Sequence, residues 1–369
     1  MKLRMLCICG LCLWMFILPV SAAEIDTAGT PPAAGLIEEL VPEEMEQLLE
    51  GSGFPSVTEI ITMTPADFWE LTKQYISESF YGMRSAFFSI LAICLLCGML
   101  SSLTPSGGDA TGAAVEMVAV LCISATVSVQ IVDCVTRVGN SLQNCAYFML
   151  SFTPILAVLL AAYGLPATAG VYNLLVLGAC QIISQVVSAG LVPAAGAYVA
   201  LCISAGVSGN KGLWSIASAV KKISSWVLSL MMTVFAGFLT LQGFMSSGTD
   251  NLTIRTTKFL VGNLVPVVGS AISDALGAAQ GSIQLIKNAV GTAGIVVVLL
   301  TFLPILIEVV LWRMALGLAA ACGEIMGVGS VSKLLASFAD VMAVLCAVIL
   351  SVGLLMIIST AVMLAISAG

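Results

Sequence analysis

The sequence predicts an all-α, polytopic helical membrane protein with a small acidic, helical, extracytoplasmic N-terminal region. Three observations carry that reading. Of 369 residues, 59% are hydrophobic and 9% are charged, at a mean hydropathy of +1.10, more apolar surface than a water-soluble core of this size hides. Apolar runs of the roughly 20 residues that cross a bilayer as helix recur along the chain. Charge is segregated: residues 24–79 hold twelve acids and one base, Lys73, whereas residues 80–369 hold eight acids and ten bases.

Residues 1–23 read as a secretory signal. Lys2 and Arg4 precede an apolar core from Met5 to Val20, and Ser21-Ala22-Ala23 offers small residues for cleavage before Glu24. A cleaved signal and an uncleaved anchor both send Glu24 out of the cytoplasm. Residues 24–84 form the acidic region. Its lead, 24–35, is Pro/Gly-rich and carries no packing pattern. A short helix follows, with Pro42 in its first turn and Glu43 and Glu44 against the positive end of its dipole. A longer helix starts at Thr64-Pro65-Ala66-Asp67, where Thr64 caps, and Phe68, Leu71, Tyr75 and Ile76 make an apolar stripe.

Residues 85–369 form the membrane domain, with about seven to eight spans. The first runs from about Ser85 to Thr104 and turns at Pro105-Ser106-Gly107-Gly108. The second covers about Ala113 to Val132, with Glu116 near one end; a polar stretch, 133–145, read as a loop or as a short interfacial helix, leads to the third, about Tyr147 to Tyr163, kinked at Pro154. Span four, about Val171 to Leu191, carries Gln181 and Gln185, which facing lipid are costly and are therefore expected to bond neighbouring helices. Lys211, Lys221 and Lys222 then fall in an acid-free amphipathic stretch, 206–226, flanked by Trp214 and Trp226. The excess of positive charge assigns it to the cytoplasmic surface. An odd number of crossings must precede Lys211, so the short Pro193–Gly206 segment is expected to cross as the fifth. Span six is about Val227 to Phe244; after the block described next, 314–338 and a last span of about 341–366 close the chain.

The block 240–313 organises the rest. A polar loop with Asp250, Arg255 and Lys258 precedes Phe259–Val268, an apolar piece broken by Gly262, Asn263 and Pro266 and too short to span, which reads as broken or re-entrant. From Gly269 the pattern turns amphipathic, with Asp274, Gln284 and Asn288 on one side and Lys287 beside them. Asn263, Pro266, Asp274, Gln284, Lys287 and Asn288 are the candidate core or pore segment. At an offset of 112 residues, Gln130, Tyr147 and Pro154 echo Gln242, Phe259 and Pro266, as duplicated halves do.

Twelve cysteines do not make a disulfide framework, because most lie in apolar spans or the signal; Cys134 and Cys145 flank a polar loop and are the one candidate pair. Cys94 and Cys97 read as plain packing. There is no histidine, which removes Ser-His and Cys-His nucleophile pairs and histidine metal sites. No nucleotide loop or metal cluster is present in the sequence, and neither enzyme activity, cofactor nor nucleic acid is expected. Glu308, one and a half turns before Arg313, reads as a charge snorkelling near a span end.

The run TLQG, the S-x-x-T-D loop, T-x-K-F, G-N-x-V-P-V-V-G, D-A and K-N-A-V-G-x-A-G-x-V together resemble the stage III sporulation protein AE family, membrane proteins of endospore formers. The resemblance implies a component of a channel or secretion-like transenvelope complex in the mother-cell membrane around the forespore. Its implied partners are the other stage III A sporulation proteins and, through the complex, the forespore's stage II protein Q, with membrane lipid around it and homo-oligomerisation open to it. The alternative from the residues themselves is a self-sufficient secondary transporter with its site near Asn263 and Pro266. A coupled transporter places charged clusters at mid-membrane, of which the chain has few; an assembly component needs an ectodomain and packing surfaces, which it has.

Overall fold

The computed structural model describes residues 65–103, 109–264 and 269–365, and all of its regular structure is helical. The elements are α1 (Pro65–Leu103), α2 (Asp109–Ala162), α3 (Pro166–Val186), a π turn (Val187–Leu191), α4 (Val192–Ser208), α5 (Lys211–Leu264), α6 (Gly269–Ile325) and α7 (Gly329–Ala365). The signal and the first short helix lie outside the described residues. The second helix of the acidic region is described from Pro65, its expected cap Thr64 lying outside the described residues, and it continues without interruption into the first apolar run.

That continuity recurs and corrects the expected reversals. Residues 133–145 are not a loop but helix inside α2, so the second and third spans are one rod. The Pro193–Gly206 segment continues α3 through the π turn, where one extra residue per turn absorbs Pro193 without breaking the chain direction. Residues 245–258, expected as a polar loop, are helical within α5. The amphipathic 269–290 stretch and the apolar run after it are both α6, which carries Pro304 inside it. Hydropathy dips marked these joints, but a few polar residues do not stop a helix that neighbouring helices support. Five helices are long and apolar enough to cross a membrane: Ala114–Ala162, Pro166–Ser208, Lys211–Phe238, Gly277–Ile325 and Gly329–Leu364; Met83–Met99 is a shorter apolar helix. Two of the five, with the shorter apolar helix of α1, precede Lys211, and Pro193–Gly206 is part of one of them and not a separate crossing.

Reversals occur where glycine supplies a left-handed residue. Gly164 (φ 102°) and Gly327 (φ 77°) close Schellman motifs: Leu165 N–H donates to the Leu160 carbonyl and Gly164 N–H to Ala161, and Val328 donates to Gly323 and Gly327 to Glu324. Gly209 (φ 65°) ends α4 with a single bond to the Ala205 carbonyl. Close approaches set which ends meet. Gly98 lies against Met326, Gly206 against Val120 and Leu334, and the Glu116 carboxylate accepts the Ser330 N–H at 2.6 Å. The turns at 209 and 327 therefore share one end of the bundle with the junction of α1 and α2. Tyr163, Gln284, Lys287 and Met363 meet at the other end.

The core runs down the pairing of α6 with α7, the most extensive in the molecule, and α2 packs on both. Val298, Val309, Leu316 and Ala319 of α6 and Leu334, Phe338, Met342 and Val352 of α7 are fully buried. Cys94 and Cys97 pack on α1 as expected. Cys134 and Cys145 are buried, free thiols eleven residues apart on one helix, about 16 Å at the helical rise. That separation rules out the pairing, since a disulfide needs Cα atoms within about 7 Å. Of the internal echo, Pro154 lies inside α2, and its counterpart Pro266 lies outside the described residues.

Candidate functional site

One face of α6 decides the end of the bundle that holds the 163–165 turn. Gly291 and Gly294 lack side chains there, and their neighbours Leu364 of α7 and Phe152 of α2 fill the space that a Cβ would take. Phe152 is held in turn by Phe148, stacked at 5.3 Å. One turn earlier on the same face is Lys287, which is fully buried. Its ammonium lies 3.4 Å from the carbonyl oxygen of Leu364 and 3.5 Å from that of Met363, at the C-terminal end of α7. Both carbonyls lie in the last turn of α7, where the helix dipole places partial negative charge, so a cation is held there by charge as well as by hydrogen bonds. The Tyr163 ring covers it at 5.1 Å. Tyr163 also donates its hydroxyl to Gln284 Oε1 at 2.9 Å, and its carbonyl lies 3.5 Å from Gln280 Nε2. The result is a polar cap of Tyr163, Gln280, Gln284 and Lys287 closed by the end of α7.

A second polar feature is halfway along the bundle. The Arg137 guanidinium of α2 pairs with the Glu308 carboxylate of α6. Glu308 is thus not a snorkelling end charge; it turns inward to a partner 171 residues away. The physical reason is that a carboxylate within a long apolar rod is stable only when a cation neutralises it. Near the opposite end, Lys221 of α5 meets Asp340 of α7 at 2.6 Å with both side chains partly exposed.

The predicted residues separate accordingly. Gln284 and Lys287 are brought together, while Asn288 is exposed beside them. Asn263 lies in the last turn of α5 and Asp274 in the second turn of α6, their side chains outside the described set, and Pro266 is outside the described residues. Gln181 and Gln185 are exposed and have no hydrogen bond to another helix among the described residues. The inner face of α3 is Tyr172, Val176, Ala179, Cys180 and Ile183, which turns both glutamines outward. Lys211 and Lys222 are exposed, and Lys221 is the one of the three held in an ion pair. Sequence reasoning missed Tyr163, Arg137 and the capping role of Glu116. The signal for Tyr163 was the glycine turn that follows it; for Arg137 and Glu308 it was that each is a charge inside an apolar run, which demands a partner. No group of three or more metal-ligating side chains converges among the described residues.

A family model described as Stage III sporulation protein AE matches residues 56–367. A Bacillus subtilis (strain 168) protein named "Stage III sporulation protein AE" is 27% identical over 192 residues, 52% of this chain and 48% of that relative. The similarity to it thus spans about half its length. No solved structure matches. Because the family model runs from the residues before α1 to beyond the end of α7, the chain belongs to the stage III sporulation protein AE family.

Proposed function

We propose that the chain is an integral membrane component of a transenvelope, channel-like or secretion-like complex linking mother cell and forespore, and that forespore development requires it. The observation that carries this reading is the family match over residues 56–367, in a multi-pass helical protein of sporulation. Its partners in this reading are the other stage III A proteins and, through them, the stage II protein Q of the forespore. The geometry is favourable to assembly: α3 and α5 carry wide outer faces, with Leu174 76% and Trp226 65% exposed. In the orientation we propose, the end bearing Lys211 and the turn at Gly327 is cytoplasmic, and the N-terminal region and the Lys287 cap face the intermembrane side. The chain acts by packing and passage, not by catalysis.

The test is deletion in the native spore former, followed by complementation with wild type and with Lys287→Met. Deletion is expected to leave vegetative growth unchanged and to abolish heat-resistant spores after engulfment. Normal sporulation with an uptake defect would overturn the reading in favour of a self-sufficient transporter. Lys287→Met keeps length and apolarity, so it is expected to accumulate in the membrane at wild-type levels while spore counts fall at least about tenfold, since a buried charge inside a membrane bundle is retained for function.

A further inference from the structure

Deeper in the bundle than the Lys287 cap, three helices bring hydroxyls to one place. Thr153 of α2, Tyr172 of α3 and Ser359 of α7 are 0%, 0% and 1% exposed, and although the Tyr172 hydroxyl lies close to both others, none of the three oxygens reaches a partner in full hydrogen-bond geometry. The Tyr172 hydroxyl faces Thr360, Ser359 and Thr153. Thr360 is already committed, donating to the Met356 carbonyl at 3.0 Å. Thr153 also precedes Pro154, which has no N–H, so the Leu150 carbonyl on that turn of α2 loses its helical donor. Within a membrane bundle such groups are costly unless something satisfies them.

We infer that Thr153, Tyr172 and Ser359 enclose a bound water that ties α2, α3 and α7 together at the level of Pro154. Water is the ligand that the chemistry selects. It is neutral, both donates and accepts, and bonds to about three partners, which matches three hydroxyls with a freed carbonyl nearby. A cation would lie one helical turn from the Lys287 ammonium, because Met363 and Leu364, which hold that ammonium, follow Thr360 by three and four residues on α7. An apolar ligand would leave all three hydroxyls unpaired. The route in is the polar cap of Gln280, Gln284, Tyr163 and Lys287, which reaches from the 163–165 turn to the carbonyls one turn away from the site. The inference is independent of the sporulation reading.

Two sulfurs report on it. Cys180 Sγ and Met356 Sδ lie 3.8 Å apart; Cys180 is beside Tyr172, and Met356 carries the carbonyl that Thr360 bonds. Both are buried. In X-ray radiolytic labelling of the full chain in nanodiscs, hydroxyl radicals form from bound water itself and oxidise buried sulfur only beside it. Met342, fully buried on the same helix 14 residues away, is the control. Cys180 and Met356 are expected to oxidise at a markedly higher rate than Met342. The triple variant Thr153→Val, Tyr172→Phe, Ser359→Ala is expected to bring them down to the Met342 rate, with Thr153→Ser retaining the wild-type rate. Wild-type rates equal to that of Met342, or fast labelling that persists in a folded triple variant, would overturn the inference. If the triple variant does not fold, Tyr172→Phe alone is expected to slow both sulfurs, and an unchanged rate there would overturn it equally.

Discussion

The α6–α7 pair and the α3–α5 flank are built from the same kind of sequence and do opposite things. In α7, 61% of the most apolar window is buried inside the protein; in α5 the figure is 17%. Both helices are apolar enough for a membrane, so hydropathy does not separate them. Shape does. The inner pair carries glycines against which other side chains close, Gly291 under Leu364 and Gly294 under Phe152, whereas Gly170, Gly178, Gly190 and Gly196 of the α3–α4 flank have nothing near the place of a Cβ. Lipid is as apolar as a leucine side chain, so helices associate in it through close packing and polar pairing, not through apolarity.

The harshest way to break this contrast is to put a side chain into the inner seam. Gly294→Val drives a branched side chain into the ring of Phe152, which is itself stacked on Phe148 and cannot swing away. A loss of about 3 kcal/mol is expected, read as a lower unfolding temperature and poorer recovery of monodisperse protein in detergent. The matching change on the flank, Gly178→Ala, is expected to stay within about 1 kcal/mol of wild type, with the sign of a helix-propensity gain. Equal damage at both positions would erase the distinction.

A smaller effect belongs to the ion pair at mid-length. Arg137→Gln leaves Glu308 half-enclosed without its cation, and a loss of about 2 kcal/mol is expected, less than for a fully buried pair because Arg137 is itself open. Arg137→Gln with Glu308→Gln is expected to recover at least half of it, and a double-mutant cycle on thermal unfolding measures the coupling. The smallest belongs to Lys221 and Asp340, both partly exposed. Lys221→Ala is expected to cost about 0.5 kcal/mol or less and to lose even that in high salt.

Much of the fold was legible because local chemistry decides it. Apolar length marks membrane helices, and the first apolar run, expected from about Ser85, lies within α1. Continuity was not legible. Asp133, Arg137, Asn140 and Asn144 look like a loop when read along the chain, but in three dimensions Arg137 answers Glu308 and the rod runs on. Gln181 and Gln185 failed for a related reason: a polar stripe on a helix announces that it is not for lipid, but does not say whether its partner is in the same chain. Lys287 was identified among the candidates by its place in an amphipathic stretch. What holds it, the Met363 carbonyl at the far end of α7, is 76 residues away and leaves no trace in local pattern.

The uninterrupted helices have a mechanical consequence. A rod of 54 residues such as α2 is about 81 Å long, more than twice the hydrocarbon thickness of a bilayer, and it is pinned near its middle by Arg137 and near its ends by Glu116 and Tyr163. Stiff rods pinned at mid-length are levers. A tilt of about 5° about that fulcrum displaces each tip by about 3–4 Å, as the helical rise and length dictate, enough to part a hydrogen bond at one end in response to a push at the other. A partner that leans on one end of this bundle is therefore felt at the opposite end without any helix having to unwind.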